Sequence, residues 1–178
     1  LAASADAEGV RDVGAQALAQ ALGAQAAGLG RDADRTMRVL STWPRGLALS
    51  AQDVAAADWS DRHAEPAGRY TDTLNAAGCW TLPLGSDDNP LGAAALRFGA
   101  EEGEPDADRR GLALAMAQDI GLALERARLA EELESARVQG ETERLRSALL
   151  SSVSHDLRSP LASMIGAAGT LASYGGQL

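Results

Sequence analysis

The stretch Cys79-Trp-Thr-Leu-Pro-Leu-Gly-Ser-Asp-Asp-Asn-Pro-Leu-Gly-Ala-Ala-Ala-Leu-Arg-Phe98 decides the fold. Its two ends, Cys79–Leu84 and Leu91–Phe98, are apolar runs of strand length. The residues between them, Gly85–Pro90, are turn formers. Two apolar runs that flank such a turn predict a β-hairpin.

The elements predicted around this hairpin alternate between helices and strands. In chain order they are a helix over Glu8–Leu22, strands over Gln25–Leu29 and Thr36–Ser41, a helix from Ser50 to about His63, a loop over Glu65–Leu74, the hairpin, and a long helix after the acidic connector Glu101–Asp108. Ser50, with Asp53 three residues later, is typical of a helix N-cap. This order predicts an α+β fold whose helices pack on one face of the sheet.

A second informative stretch lies near the C-terminus. Its apolar residues recur every three or four positions, which predicts a helix; they are Leu150, Val153, Leu157, Leu161, Met164, Ala168 and Leu171. At about 100° per residue, His155 points away from this row. Pro160 removes a helical hydrogen bond and predicts a kink beside the histidine. Asp156 can hold a proton on one imidazole nitrogen, leaving the other as a nucleophile, although an ordinary surface histidine has the same pattern.

Composition excludes several classes of protein. The chain has 178 residues and a net charge of −9, which argues against a nucleic-acid surface. Its one cysteine, Cys79, permits no internal disulfide and no cysteine-based metal cluster. The sequence shows neither a signal peptide nor an apolar run of the ~18 residues that cross a bilayer. Without an initiator methionine, the chain is expected to be a fragment of a larger protein.

Three strings resemble parts of one family of signalling proteins. Ser154-His-Asp-Leu-Arg-Ser-Pro-Leu161 resembles the phosphoacceptor motif of two-component sensor histidine kinases. The longer run Glu143–His155 resembles the KdpD branch, the potassium-responsive sensors. Trp59–Leu74 is similar to a stretch that marks the GAF domain of that branch. The resemblance implies a GAF-like antiparallel sheet with flanking helices, followed by a long coiled-coil-forming helix.

The resemblance also implies a division of the chain and roles for its residues. The expected parts are a GAF-like sensory domain over 1–125, a connecting signalling helix over 126–146, and the truncated first helix of the dimerisation and phosphoacceptor domain (HisKA) over 147–178. His155 would accept the γ-phosphoryl group of ATP, and Asp156 would orient and activate it. Arg158 would approach the transferred group or remain a solvated charge, and Ser159 occupies a position related to phosphatase activity.

Expected partners follow from the same resemblance. They are a second copy bound through the C-terminal helices and the receiver domain of a response regulator. ATP and Mg²⁺ would act only in the full-length kinase, because this fragment lacks the ATP-binding domain and should be inactive alone; no metal is expected here. The chain would be a cytoplasmic portion of a bacterial inner-membrane protein that senses potassium or osmotic stress. The alternative is a ligand-binding GAF regulatory or dimerisation module with no phosphotransfer role.

The sequence makes further predictions about the C-terminal helix and about three single residues, each with an alternative. A seven-residue row runs through the last two parts, broken once by a polar residue; it comprises Leu122, Leu129, Ala136, Glu143, Leu150, Leu157, Met164 and Leu171. It predicts a coiled coil that relays a signal, weakened near Gly140, which would otherwise be a flexible tether. His63 is expected to be structural rather than a ligand, Cys79 a buried small residue rather than a chromophore anchor, and Gly68 part of a turn rather than a ligand lid.

Overall fold

The computed structural model describes the backbone of residues 2–86, 88–99 and 103–175. Side chains are described over these ranges except at 2–6, 155–156, 159 and 167–175. The chain divides into two compact units, Leu1–Glu131 and Glu132–Leu178. Each unit is described by itself below.

The first unit is built on a five-stranded antiparallel sheet. The elements of the chain are α1 (Ala2–Leu22), β1 (Gln25–Arg31), β2 (Met37–Trp43), α2 (Ala51–His63), β3 (Ala67–Gly68), β4 (Trp80–Pro83), β5 (Ala93–Arg97) and α3 (Ala107–Gly175). The strand order is β2-β1-β5-β4-β3. The predicted hairpin is confirmed as β4 and β5, which pair from Trp80 with Leu96 to Pro83 with Ala93.

The predicted packing of helices on one face of the sheet is wrong, because both faces are covered. Neighbouring residues of β5 alternate between two cores: Leu96 joins one with α1 and the start of α3, and Ala95 joins the other with α2. Five consecutive residues of β1 are buried. A strand that is buried continuously must have helices on both sides, since its side chains alternate between the faces.

The helix α2 begins where its cap residues predict. The Ser50 hydroxyl accepts a hydrogen bond from the Asp53 N–H, and the Asp53 carboxylate accepts one from the Ser50 N–H. This reciprocal capping box satisfies N–H groups that have no partner inside the helix. The loop predicted after α2 differs in one respect: it contains the two-residue strand β3, paired with Thr81 and Trp80 of β4.

The second unit consists of the later part of α3. The apolar side chains of its predicted row are exposed where they are described, namely Leu150, Val153, Leu157, Leu161 and Met164. Pro160 lies inside the helix, which continues past it, and the kink stays a prediction. Gly140 is also helical, and a methyl group added there would meet nothing within 4 Å. Within the described ranges, no helix is both long and apolar enough to cross a membrane.

Candidate functional site

The residues predicted to carry phosphotransfer lie on α3 of the second unit. The backbone at His155, Asp156 and Ser159 is helical, whereas the side chains of these three residues lie outside those that the structure describes. Arg158 is described and exposed. The roles assigned to these four residues therefore stay predictions.

The described side chains around this segment form an apolar surface. Leu157 and Leu161 are 54% and 50% exposed, and they line a shallow groove of about 420 Å³ with Arg158 at its rim. Leu145, Leu149 and Ile165 are also exposed, by 66%, 65% and 72%, although the predicted row does not include them. A helix that exposes this much apolar surface is suited to packing against another helix.

In the first unit, Asp53 forms a buried polar centre. Its side chain is 1% exposed and accepts hydrogen bonds from Cys79 N–H at 2.8 Å and from Arg97 Nη2 at 3.0 Å, in addition to those from Ser50. Burial by itself raises the pKa of a carboxyl group. Here the hydrogen bonds from Ser50 and Cys79 outweigh burial and hold the pKa of Asp53 below its ordinary value. Asp53 therefore stays ionised and ties the start of α2 to β4 and β5.

Asp61 provides a second buried connection at the other end of α2. Its side chain is 1% exposed; it accepts hydrogen bonds from Arg31 Nε at 2.9 Å and from the Gly92 N–H at 2.8 Å. Arg31 also pairs with the half-buried Asp58 at 2.8 Å. The sequence did not identify Asp53 or Asp61 as buried. The available signal is their spacing, since Asp53, Ala56, Ala57, Ser60 and Asp61 recur as the buried face of α2.

The contacts of His63 and Gly68 indicate structural roles for these two candidates. His63 is exposed, stacks on Trp59 with ring centroids 4.2 Å apart, and places Nδ1 2.9 Å from the Trp59 carbonyl oxygen. Gly68 has a φ of 83°, and a Cβ there would lie 2.2 Å from the Cys79 carbonyl oxygen. It therefore serves the turn and the close pairing of β3 with β4. Among the described residues, no group of three or more His, Cys, Asp or Glu side chains could hold a metal ion.

Cys79 is expected to be chemically inert in the folded protein. The residue is fully buried, and burial, followed by the charge of Asp53, raises the pKa of its thiol to about 11. Because the thiolate is the reactive form, a disulfide reagent at pH 8 should label the native chain at least about 100-fold more slowly than the chain unfolded in urea. Equally fast labelling of both would contradict the burial of the Cys79 thiol and would favour Cys79 as a site of covalent attachment.

The grooves on the first unit include two that are lined by α3. One, of about 470 Å³, runs between α1 and α3; its lining residues are Gly9, Val10, Val13, Gly14, Ala17, Met116, Asp119, Ile120 and Ala123. Another, of about 450 Å³, lies where the turn after β4 meets α3. At that turn the Asn89 side-chain amide donates to Glu125 at 3.2 Å and its oxygen accepts from Arg128 at 2.7 Å. These bonds fasten the hairpin to α3.

Sequence comparison relates the chain to sensor proteins. No protein-family model matches it. It is 34% identical over 129 residues to sensor protein KdpD of Clostridium acetobutylicum, and 35% identical over 127 residues to sensor protein KdpD of Escherichia coli K12. The matches cover 72% and 71% of this chain but 14% of each relative. The chain thus spans about one seventh of the length of the curated relatives that it matches.

Structural comparison identifies the fold of the first unit. The GAF domain of the potassium sensor histidine kinase KdpD from Escherichia coli superposes with a TM-score of 0.58 and 28% identity, covering 70% of this chain and 85% of that one. The second GAF domain of DevS from Mycobacterium smegmatis superposes with a TM-score of 0.57 at 16% identity, over 72% of this chain and 99% of that one, which supports the fold alone. Over 72% of its length the chain is similar in sequence to sensor protein KdpD, and its fold is GAF-like.

Proposed function

We propose that this chain is the GAF and phosphoacceptor portion of a two-component sensor histidine kinase that resembles KdpD. The observation that carries the proposal is the similarity to KdpD sensor proteins over 129 residues. The Ser154–Leu161 string, which lies on α3, adds the phosphoacceptor motif to that similarity. As in its relatives, the remaining length of the parent protein would hold the parts that this chain does not span.

The proposed chemistry is phosphoryl transfer to His155. A neutral imidazole nitrogen attacks the γ-phosphorus of ATP, the new N–P bond forms, and the bond to the bridging oxygen breaks to release ADP. Asp156 favours a proton on the other ring nitrogen and stabilises the imidazolium that develops. A separate domain of the parent kinase would hold ATP and Mg²⁺, whose charge stabilises the transferring group. The phosphoryl group then passes to an aspartate of a receiver domain.

The other assignments complete the proposal. Arg158 would stabilise the phosphoryl group by its charge, and Ser159 would act when the kinase dephosphorylates its response regulator. The stimulus would be potassium or osmotic stress, received by a cytoplasmic portion of an inner-membrane protein. The connecting helix over 126–146 would transmit the signal through a coiled coil, with Gly140 as its weak point.

A second candidate function is a ligand-binding GAF module that regulates or dimerises its parent without phosphotransfer. The apolar groove of about 470 Å³ between α1 and α3 favours it, because small-molecule sites are mostly apolar concavities of this size. In this case the histidine on α3 would be an ordinary surface residue. The two candidates differ in one measurable property, which is whether the chain accepts a phosphoryl group.

A phosphotransfer assay separates the two candidates. The chain, extended to the complete helical hairpin of its parent so that the kinase domain can dock, is mixed with the ATP-binding domain of that parent and labelled ATP. The proposed function requires an acid-labile label that moves to an added receiver domain. If the extended chain is folded and dimeric yet takes up no label, the ligand-binding candidate is favoured instead.

We also expect the chain to self-associate through the exposed apolar row of α3. Leu150 and Leu157 are 59% and 54% exposed, and burying each against a second copy contributes about 1.5–3 kcal/mol. Light scattering should therefore report a dimer, and the double variant Leu150→Asp, Leu157→Asp should weaken association at least about 100-fold. Ser151→Asp, an exposed polar position on the same helix, is the matched control. A chain that remains monomeric at millimolar concentration would contradict this prediction.

A further inference from the structure

The loop between α2 and β4 contains a series of strained backbone conformations. Ala64, Tyr70 and Leu74 have φ values of 49°, 68° and 53°. Residues other than Gly, Asn and Asp rarely adopt this left-handed region, because the Cβ atom crowds the backbone. Two large side chains in this conformation within five positions must be held there by their surroundings.

Tyr70 adds a second unfavourable feature to the same loop. Its ring packs against the core, with an edge-on contact to Phe98 at a centroid distance of 6.2 Å. Its hydroxyl group is buried and has no hydrogen-bond partner among the described residues. A buried hydroxyl without a partner loses its hydrogen bonds to water. Movement of Tyr70 away from the core would therefore hydrate this group and also relax its backbone.

The contacts that oppose this movement come partly from α3. Arg110, in the first turn of α3, donates from Nη2 to the Tyr70 carbonyl oxygen at 3.2 Å. The same guanidinium lies 5.8 Å from the centre of the Trp80 ring and pairs with Glu104. Within the loop, the Gly68 N–H donates to the Thr73 carbonyl oxygen at 2.8 Å. Arg110 thus joins the strained loop to the start of α3.

We propose that the Glu65–Leu74 loop is a two-state element whose closed form is held by the Arg110–Tyr70 contact. Strain at Tyr70 and Leu74 and the unpartnered hydroxyl reduce the free-energy difference between the closed and open forms. Loss of the Arg110 contact opens the loop and frees the first turn of α3. The loop equilibrium is a property of this chain alone, whereas its use in controlling a kinase rests on the proposed function.

Limited proteolysis of the 178-residue chain tests the equilibrium. Trypsin cuts after Arg69, inside the loop, and the cutting rate follows the population of the open form when reclosing is fast. Arg110→Gln should accelerate this cut about fivefold, as expected for loss of one net hydrogen bond. Leu74→Asn should slow it about threefold to fivefold, since asparagine tolerates the left-handed conformation. The cut after the exposed Arg45, in another loop, is the internal reference.

Two matched variants control for changes unrelated to the loop equilibrium. Glu104→Gln removes the ion pair of Arg110 but keeps its bond to Tyr70, and should leave the Arg69 cut within twofold of the wild-type rate. Ala64→Asn relieves strain at the end of α2 and should raise the melting temperature without slowing the cut. The proposal is overturned if neither Arg110→Gln nor Leu74→Asn changes the rate, if Leu74→Asn accelerates it, or if Glu104→Gln accelerates it as much as Arg110→Gln.

The regulatory part is tested in the full-length parent kinase. Arg110→Gln and Leu74→Asn should shift its basal autophosphorylation in opposite directions, each by about threefold or more. If both variants phosphorylate at the wild-type level, the loop does not regulate the kinase, although His155 remains the phosphoacceptor. If the wild-type parent incorporates no phosphoryl group at all, the proposed function fails and the proteolysis result on the isolated chain still decides the loop equilibrium.

Discussion

Replacing His155 by glutamine is expected to abolish phosphoryl uptake by the extended hairpin, with a loss of at least about 1,000-fold in initial rate. Glutamine is similar in length and polar but has no nitrogen lone pair that can act as a nucleophile. The measurement is the incorporation of label from ATP in the presence of the parent ATP-binding domain. Equal labelling of the variant and the wild type would contradict the assignment of His155.

His63 offers a matched control for this experiment, because it is the one other histidine in the sequence. It is exposed and stacked on Trp59, so His63→Gln should retain full labelling. The companion variant Asp156→Asn should slow labelling about 10- to 100-fold while leaving the melting temperature unchanged. Its amide can still form hydrogen bonds but lacks the charge that stabilises a developing imidazolium. A normal rate with Asp156→Asn would make Asp156 an ordinary surface residue.

Replacing Asp53 by alanine is expected to give the largest loss of stability in the first unit. The carboxylate is 1% exposed, and its removal leaves the Cys79 N–H without an acceptor and Arg97 without its counter-charge. Removing one member of a buried pair costs about 3–5 kcal/mol, reduced here toward about 3 kcal/mol because the Arg97 side chain is 30% exposed. Urea unfolding followed by tryptophan fluorescence measures the change.

The same variant should also change how stability depends on pH. The folded-state pKa of Asp53 lies below the ordinary value of 3.8, so its stabilising contribution is complete above that value and is lost as pH falls through the folded pKa. The difference in free energy of unfolding between the wild type and Asp53→Ala should therefore shrink as the pH falls below about 4. Asp58→Asn is the control, because its ion pairs involve a side chain that is 26% exposed and should cost less than about 1 kcal/mol. An Asp53→Ala chain as stable as Asp58→Asn would contradict the role of the buried carboxylate.

The local pattern of the sequence determined the succession of helices and strands. The start of α2 follows from Ser50 and Asp53, whose side chains cap the backbone within one turn. The β4–β5 hairpin follows from two apolar runs and a turn between them. Both depend on interactions between residues close in sequence, which is why spacing and residue type were sufficient. The exposed apolar row of α3 is also a local property, since helical periodicity alone places its members on one side.

Only the tertiary structure decided which of these residues are buried and what they contact. The cover on both faces of the sheet comes from α1 and the start of α3 packing on one face and α2 on the other, through contacts between segments far apart in the chain. Asp53 and Asp61 are buried ions rather than solvated helix charges because their partners, Arg97, Arg31 and the Gly92 N–H, lie 30 or more residues away in the chain. The left-handed Tyr70 depends likewise on Phe98 and Arg110, which no local pattern brings to it. Burial and ion pairing depend on contacts between residues far apart in the sequence. Residue spacing predicts only the contacts that neighbours along the chain make with each other.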